Sequence, residues 1–102
     1  MDKIRIDKWL WAARFYKTRS LATDEINKGR VEVNQQTAKP SREVKTGDTV
    51  AIRREGLVRT VTVMGLSGVR GSAPVAQTLY ADTPESIQAK DAYVQQRRFA
   101  KE

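Results

Sequence analysis

Apolar positions in the first third of the chain recur every three to four residues, and from Val31 onward they alternate. Ile6, Trp9, Leu10, Ala13 and Tyr16 share one face at 100° per residue, whereas Lys8, Trp11 and Phe15 fall on another. That spacing predicts a helix capped by Asp7 and running to about Tyr16. Lys17-Thr18-Arg19 is a polar link. Ser20 is placed to cap a second helix of about eight residues, with Leu21, Ala22, Glu25 and Ile26 on one side. Asn27-Lys28-Gly29 closes it, glycine taking the left-handed position that helix ends favour.

The pattern then changes period. Val31-Glu32-Val33 reads as a strand ending in a turn at Asn34, and Lys39-Pro40-Ser41 as a loop. Gly47-Asp48 turns into the strand Thr49-Val50-Ala51-Ile52. Glu55-Gly56 joins it to Val58–Met64 as a hairpin, with Val61 and Val63 pointing one way and Thr60 and Thr62 the other. Gly65, Gly68 and Gly71 mark a flexible loop that ends near Pro74. It lacks the Lys-Ser/Thr ending of a phosphate-cradling loop. Arg70 in it is placed to brush a polyanion. Val75–Tyr80 reads as one more strand. Thr83-Pro84-Glu85 opens a final helix, weakly amphipathic, to about Phe99.

Composition narrows the chemistry. The chain has 102 residues, no Cys and no His. That removes disulfides, thiolate metal sites, the commonest general base and the Ser-His and Cys-His nucleophile pairs. No carboxylates cluster in pairs, so neither a catalytic nor a metal-binding residue is assigned, and no cofactor is expected. No apolar run reaches membrane-spanning length and no apolar leader follows Met1, so a cytoplasmic protein without membrane contact is expected.

Charge is unevenly placed. The first 54 residues hold thirteen of the nineteen Lys and Arg and seven of the twelve acids, which carries +6 of the formal +7. A basic half on a small fold is an electrostatic footprint for a polyanion, although most charge runs are simply solvated faces. Arg5, Lys8, Arg14, Lys17 and Arg19 fall within one or two helical turns of each other. Fixed cations at that spacing suit phosphates, and Arg adds planar two-pronged geometry.

Arg5-Ile6-Asp7-Lys8-Trp9-Leu10, Lys17-Thr18-Arg19-Ser20-Leu21-Ala22, Ile26, Gly29-Arg30-Val31-Glu32-Val33-Asn34, Lys39-Pro40-Ser41 and Gly47-Asp48-Thr49-Val50 together resemble an RNA-binding domain of the S-four type, named for small-subunit ribosomal protein four, over about residues 5–52. The run Asp7–Arg19, with Leu79-Tyr80 and Thr83-Pro84-Glu85-Ser86, is similar to one branch of it, the heat shock protein 15 family.

The resemblance implies an α+β chain with the αL-type RNA-binding fold: two N-terminal helices packed on a small antiparallel sheet, plus a C-terminal helix. The domain with its β extension would span 1–82 and the helix 83–102. It implies a non-enzymatic protein that binds rRNA of the large ribosomal subunit, on subunits still carrying peptidyl-tRNA. Carried over by position, Arg5, Lys8, Lys17, Thr18, Arg19, Asn34, Lys39 and Ser41 are the expected RNA contacts, with Arg14 and Arg30 flanking. Asp7 is expected to cap the first helix or to orient a neighbouring Arg. Two features depart from the family. Gln35 stands where Gly often follows the Asn of the first hairpin, which points to a longer or different turn than type I′. The end Lys101-Glu102, with only Arg97 and Arg98 before it, is less basic than the long tail of many members, so tail-derived affinity is expected to be reduced.

Alternatives stand beside this reading. A general module would bind DNA as tightly as RNA. An accessory factor would guide an RNA-modifying enzyme acting in trans. A monomer is expected. Trp9 and Trp11 admit base stacking. For Trp9, packing in the core is favoured, because it shares a face with Leu10 and Ala13. Trp11 and Phe15, pointing away from that face, are candidates either to pack on the C-terminal helix or, for one of them, to stand exposed beside Lys8 and Arg14, where it would suit RNA.

Overall fold

The computed structural model describes residues 2–100, with side chains through residue 95. Short β1 (Ile4–Arg5) leads directly into α1 (Ile6–Ala12), followed by α2 (Arg19–Asn27), β2 (Val31–Val33), β3 (Gln36–Thr37) and β4 (Glu43–Val44). β5 (Thr49–Arg54) and β6 (Leu57–Val63) form the long hairpin. The chain ends with α3 (Ala73–Gln77), β7 (Tyr80–Asp82) and α4 (Pro84–Ala100). Five antiparallel strands lie in the order β3-β2-β5-β6-β7, and β1 pairs with β4 in a separate two-stranded ribbon. The expected α+β architecture of two helices on a small antiparallel sheet is therefore present.

Alternation in the strands builds the core. Val31, Val33, Val50, Ile52, Val61 and Val63 are buried, and the register sets Val33 opposite Val50 and Val50 opposite Val61. One apolar stripe thus crosses three strands. Ile6, Trp9 and Leu10 of α1 and Ala22 and Ile26 of α2 close over it. Trp9 is fully buried and its indole N–H donates to the Gly65 carbonyl at 3.0 Å, so it packs and does not stack on bases.

Both N-terminal helices stop by the same device. In each, one residue beyond the helix turns left-handed and two backbone N–H groups fold back onto the last turn. At α2 the left-handed residue is Gly29, as expected, with Gly29 N–H to Ile26 O and Arg30 N–H to Glu25 O. At α1 it is Arg14, at φ 66°, with Arg14 N–H to Trp11 O and Phe15 N–H to Leu10 O. Helix α1 therefore ends at Ala12 and not near Tyr16. Rotation of the chain at Arg14 turns Phe15 inward, where it packs on Trp9 and Tyr80 with ring centroids 5.8 and 4.6 Å apart. The expectation that Phe15 faces away assumed a helix that had already ended. Trp11 is half-buried against the core.

Three further expectations are corrected. The cap of α2 is Thr18, whose hydroxyl accepts from Leu21 N–H at 3.1 Å, two residues before Ser20. Val75–Tyr80 is not a strand: Ser72 and Pro74 start α3, Ala76 and Leu79 point inward one turn apart, and the strand begins at Tyr80. The glycine-rich loop is not a free connection, since Gly65 and Gly71 accept from Trp9 and from Arg14 Nε, the latter at 2.8 Å.

The turn after β2 also differs from expectation. Val33 pairs with Gln36, leaving a two-residue loop in which Asn34 and Gln35 both have positive φ, 51° and 70°. This is the backbone a type I′ turn demands, adopted without glycine. Asn34 tolerates it, whereas Gln35 does so at a cost. We expect Gln35→Gly to raise stability by about 0.5–1 kcal/mol, read as an increase of roughly 2–8 °C in Tm. An unchanged or lower Tm would show that the turn carries no such strain.

The final helix lies on β6 and begins where expected. The Ser86 hydroxyl accepts from Thr60 N–H at 2.9 Å, and Thr83 caps the first turn through Ser86 N–H. Positions 101 and 102 and the side chains of Arg97 and Arg98 lie outside the described residues.

Candidate nucleic-acid interface

Helix α1 starts with a carboxylate that has almost no access to water. Asp7 is 2% exposed, in the first turn, where the helix dipole favours an anion. It does not cap the helix; the cap position is Arg5, with no side-chain bond. Instead it holds two arginines. Arg5 grips it with two prongs, Nε to Oδ1 at 3.2 Å and Nη2 to Oδ2 at 3.0 Å, and Arg19 Nη2 reaches Oδ1 at 3.4 Å. The Arg5 and Arg19 side chains remain 50% and 44% exposed. One buried anion thus fixes two outward-facing guanidinium groups, each keeping donors free for a ligand.

The loop before β4 is tied to the same place. Ile6 N–H donates to Arg42 O at 2.7 Å, Arg42 N–H to Lys39 O at 2.9 Å, and β1–β4 pairing sets Arg5 opposite Glu43. Lys39 and Ser41 are exposed on this loop beside the start of α1. Thr18 and the exposed Lys17 adjoin Arg19 at the start of α2, and Lys8 is half-exposed on α1. Arg5, Lys8, Lys17, Thr18, Arg19, Lys39 and Ser41 are therefore carried by three segments that meet at one end of the helix pair. The Thr18 oxygen is occupied by its cap, leaving its hydroxyl proton for a partner.

Asn34 borders this region with its amide already engaged. Its Nδ2 donates to Asp48 Oδ1 at 3.2 Å, and its Oδ1 accepts from Thr49 N–H at 3.0 Å. It locks the β2–β3 turn to the turn before β5, and a single amide hydrogen is left over. Between these turns and β1 lies a cleft of about 370 Å³ lined by Lys3, Arg42 and Lys45 together with Asn34, Asp48 and Glu43, the last paired with Lys3 at 3.5 Å. Those three cations were not anticipated. Arg42 follows Ser41 directly in a basic loop, which is the one signal that pointed there. The two-residue pairing that brings Lys3 alongside is too short to leave a periodic trace.

The flanking pair lies elsewhere. Arg14 donates to the glycine loop at the far end of α1, and Arg30 pairs with Glu25 at 2.8 Å beyond the far end of α2. Among the described residues no group of His, Cys, Asp and Glu is arranged to hold a metal ion, and no helix is long and apolar enough to cross a membrane.

Known proteins resemble this chain over most of its length. The S4 domain matches residues 4–50, which contain all ten expected contacts. A heat shock protein 15 homolog of Aeromonas salmonicida is 45% identical over 97 residues, 95% of this chain and 74% of the relative. The chain belongs to the heat shock protein 15 family. A solved structure of Vibrio cholerae heat shock protein 15, described as trimeric, superposes with a TM-score of 0.91 at 42% identity, covering 96% of this chain and 99% of that one. Part of the chain is also similar to the RQC P-site tRNA stabilizing factor of Helicobacter pylori, 51% identical over 49 residues, 48% of this chain and 58% of the relative.

Proposed function

We propose that this protein binds structured RNA of the large ribosomal subunit, without catalysis, and recognises subunits that still carry peptidyl-tRNA. The carrying observation is Asp7, a buried carboxylate that sets Arg5 and Arg19 outward beside the Lys39–Arg42 loop. Three segments converging on one rigid basic end suit a folded RNA, which is read by shape and phosphate rather than by base edges. Arg5, Lys8, Lys17, Arg19 and Lys39 meet phosphates, and Ser41 and Thr18 supply hydroxyl contacts. Membership of the heat shock protein 15 family supports the ribosomal target. The likeness to a factor named for stabilizing P-site tRNA supports a tRNA-bearing one. Cytoplasmic location follows from such a target. Assembly is a separate matter: the Vibrio cholerae relative is described as trimeric, which lends no support to the monomer expected above.

Cosedimentation tests the proposal. Large subunits with and without peptidyl-tRNA are mixed with the protein at low and moderate salt, with duplex DNA as competitor. Retention on tRNA-bearing subunits at moderate salt, undisturbed by DNA, is expected. Equal, salt-labile binding to every particle and to DNA would reduce the protein to a general polyanion binder.

A further inference from the structure

A second basic cleft, of about 650 Å³, opens along the flank of α2, between Leu21 and Glu25 of that helix and the β5–β6 turn. Tyr16 forms its floor and Arg30, Arg53 and Arg54 its walls. Backbone pairing joins two of these, Arg53 N–H donating to Arg30 O at 2.9 Å. Arg54 is braced by the Phe15 carbonyl and lies over the Tyr16 ring, 4.5 Å from its centroid. Glu25 and Glu55 also line the cleft, and Glu25 neutralises Arg30. With Glu55 also present the lining keeps a charge of +1, and Arg53 and Arg54 are its arginines without an ion-pair partner.

The floor supplies an independent observation. Tyr16 is 7% exposed; Arg54 bears on its buried hydroxyl oxygen, and because a guanidinium only donates, the hydroxyl proton has no acceptor. A buried phenol without an acceptor is costly, and such orphans call for explanation. Burial raises its pKa, against the opposing effect of Arg54, so it stays protonated and remains a donor. Two arginines and a phenol proton without an acceptor beside one cleft are complementary to a tetrahedral anion with several acceptor oxygens.

We propose that this cleft is a second phosphate site, taking a backbone phosphate of the same folded RNA that engages Arg5 and Arg19. The proposal rests on the RNA-binding reading above. Leu21 and Glu25 of α2 line this cleft, and the same helix begins at Arg19, so adjoining segments of one compact RNA can occupy both sites. A glutamate-rich peptide is the competing occupant, and the acids in the lining disfavour it, because an extended acidic chain would run past Glu25 and Glu55.

Arg53→Glu tests the site. Arg53 is exposed and its side chain supports nothing else in the fold, so the variant is expected to fold as the parent. The probes are rRNA extracted from large subunits and inorganic phosphate. The expected result is a five- to tenfold weaker affinity for rRNA, with a salt dependence shallower by about one phosphate contact. Phosphate titration should shift the Arg53 and Gly56 amides in the parent and leave Arg53→Glu unmoved. Unchanged rRNA affinity and salt slope would overturn the proposal. So would poly-glutamate binding by the parent that Arg53→Glu loses while its rRNA binding is unchanged, which would mark a protein ligand. Arg19→Glu run in parallel separates the two readings. If it abolishes binding while Arg53→Glu does not, only the second site is wrong; if neither matters, the RNA interface itself is misplaced.

Discussion

Arg19→Glu is expected to weaken binding to large-subunit rRNA on the order of a hundredfold at moderate salt, since a charge-assisted contact contributes about 1.5–3 kcal/mol and reversal adds repulsion. Arg19 occupies the first position of α2, where Thr18 fixes the helix start and Asp7 fixes the guanidinium. A cation held in this way spends little entropy on meeting its phosphate, which is why it should outrank the exposed Lys17 next to it. The variant also sets a second carboxylate beside Asp7, so part of any loss could reflect a disturbed helix pair. Arg19→Gln removes that ambiguity. It keeps a donor toward Asp7, should unfold within a few degrees of the parent, and should still lose about tenfold in affinity. Anisotropy or filter binding across a salt series reads both, with thermal melts as control. Parent-like affinity and slope in Arg19→Glu would remove this end of the helix pair as the RNA surface.

What the sequence showed and what it hid divide along physical lines. Long-range alternation survives translation into structure, because a one-residue slip would expose a whole face. Val31, Val33, Val50, Val61 and Val63 are therefore where their pattern placed them. Helix ends were less legible. Nothing in the type of Arg14 marks it as the left-handed terminator of α1, a position that usually falls to glycine or asparagine. Once that stop is missed, the wheel rotates Phe15 to the wrong side. Val75 misled for a related reason: a short stretch with apolar residues at both ends and Gln77-Thr78 between them fits a strand or a turn of helix equally well, and Pro74 decides it locally.

The interface was legible in its residues but not in its grouping. Family likeness supplied ten positions, and the fold sorts them. Seven come together around the start of the helix pair, Asn34 spends its amide on the turn, and Arg14 and Arg30 move to other surfaces. Arg30 looked like an outlier to the first patch; it stands in the second cleft. Charge counts could not separate these cases, because they ignore which acid each base faces. Glu25 neutralises Arg30 at an exposed site, where an ion pair adds little. Asp7 faces its two arginines from a buried site, where the same pairing fixes geometry.

This distinction between charge and placement makes Asp7→Asn the sharper test. The substitution is nearly isosteric and raises the formal net charge by one. If the basic end acted only through its total charge, binding to any polyanion would tighten. The structure argues otherwise. An amide offers one acceptor where the carboxylate serves three N–H donors, and its own N–H₂ would face a guanidinium. Arg5 and Arg19 would then repel each other and swing free. Affinity for folded rRNA should fall about tenfold, while affinity for single-stranded poly-uridine should hold or rise, because a flexible strand can follow mobile cations. Stability should drop by about 1–3 kcal/mol, less than for a fully buried pair because both arginines can be rehydrated, and Tm should fall by about 4–8 °C for each kcal/mol. Tighter binding to both RNAs would mean that Asp7 only subtracts charge, and that Arg5 and Arg19 need no fixed geometry. Opposite changes for the two RNAs would show that the buried carboxylate is what makes a basic surface selective for a folded one.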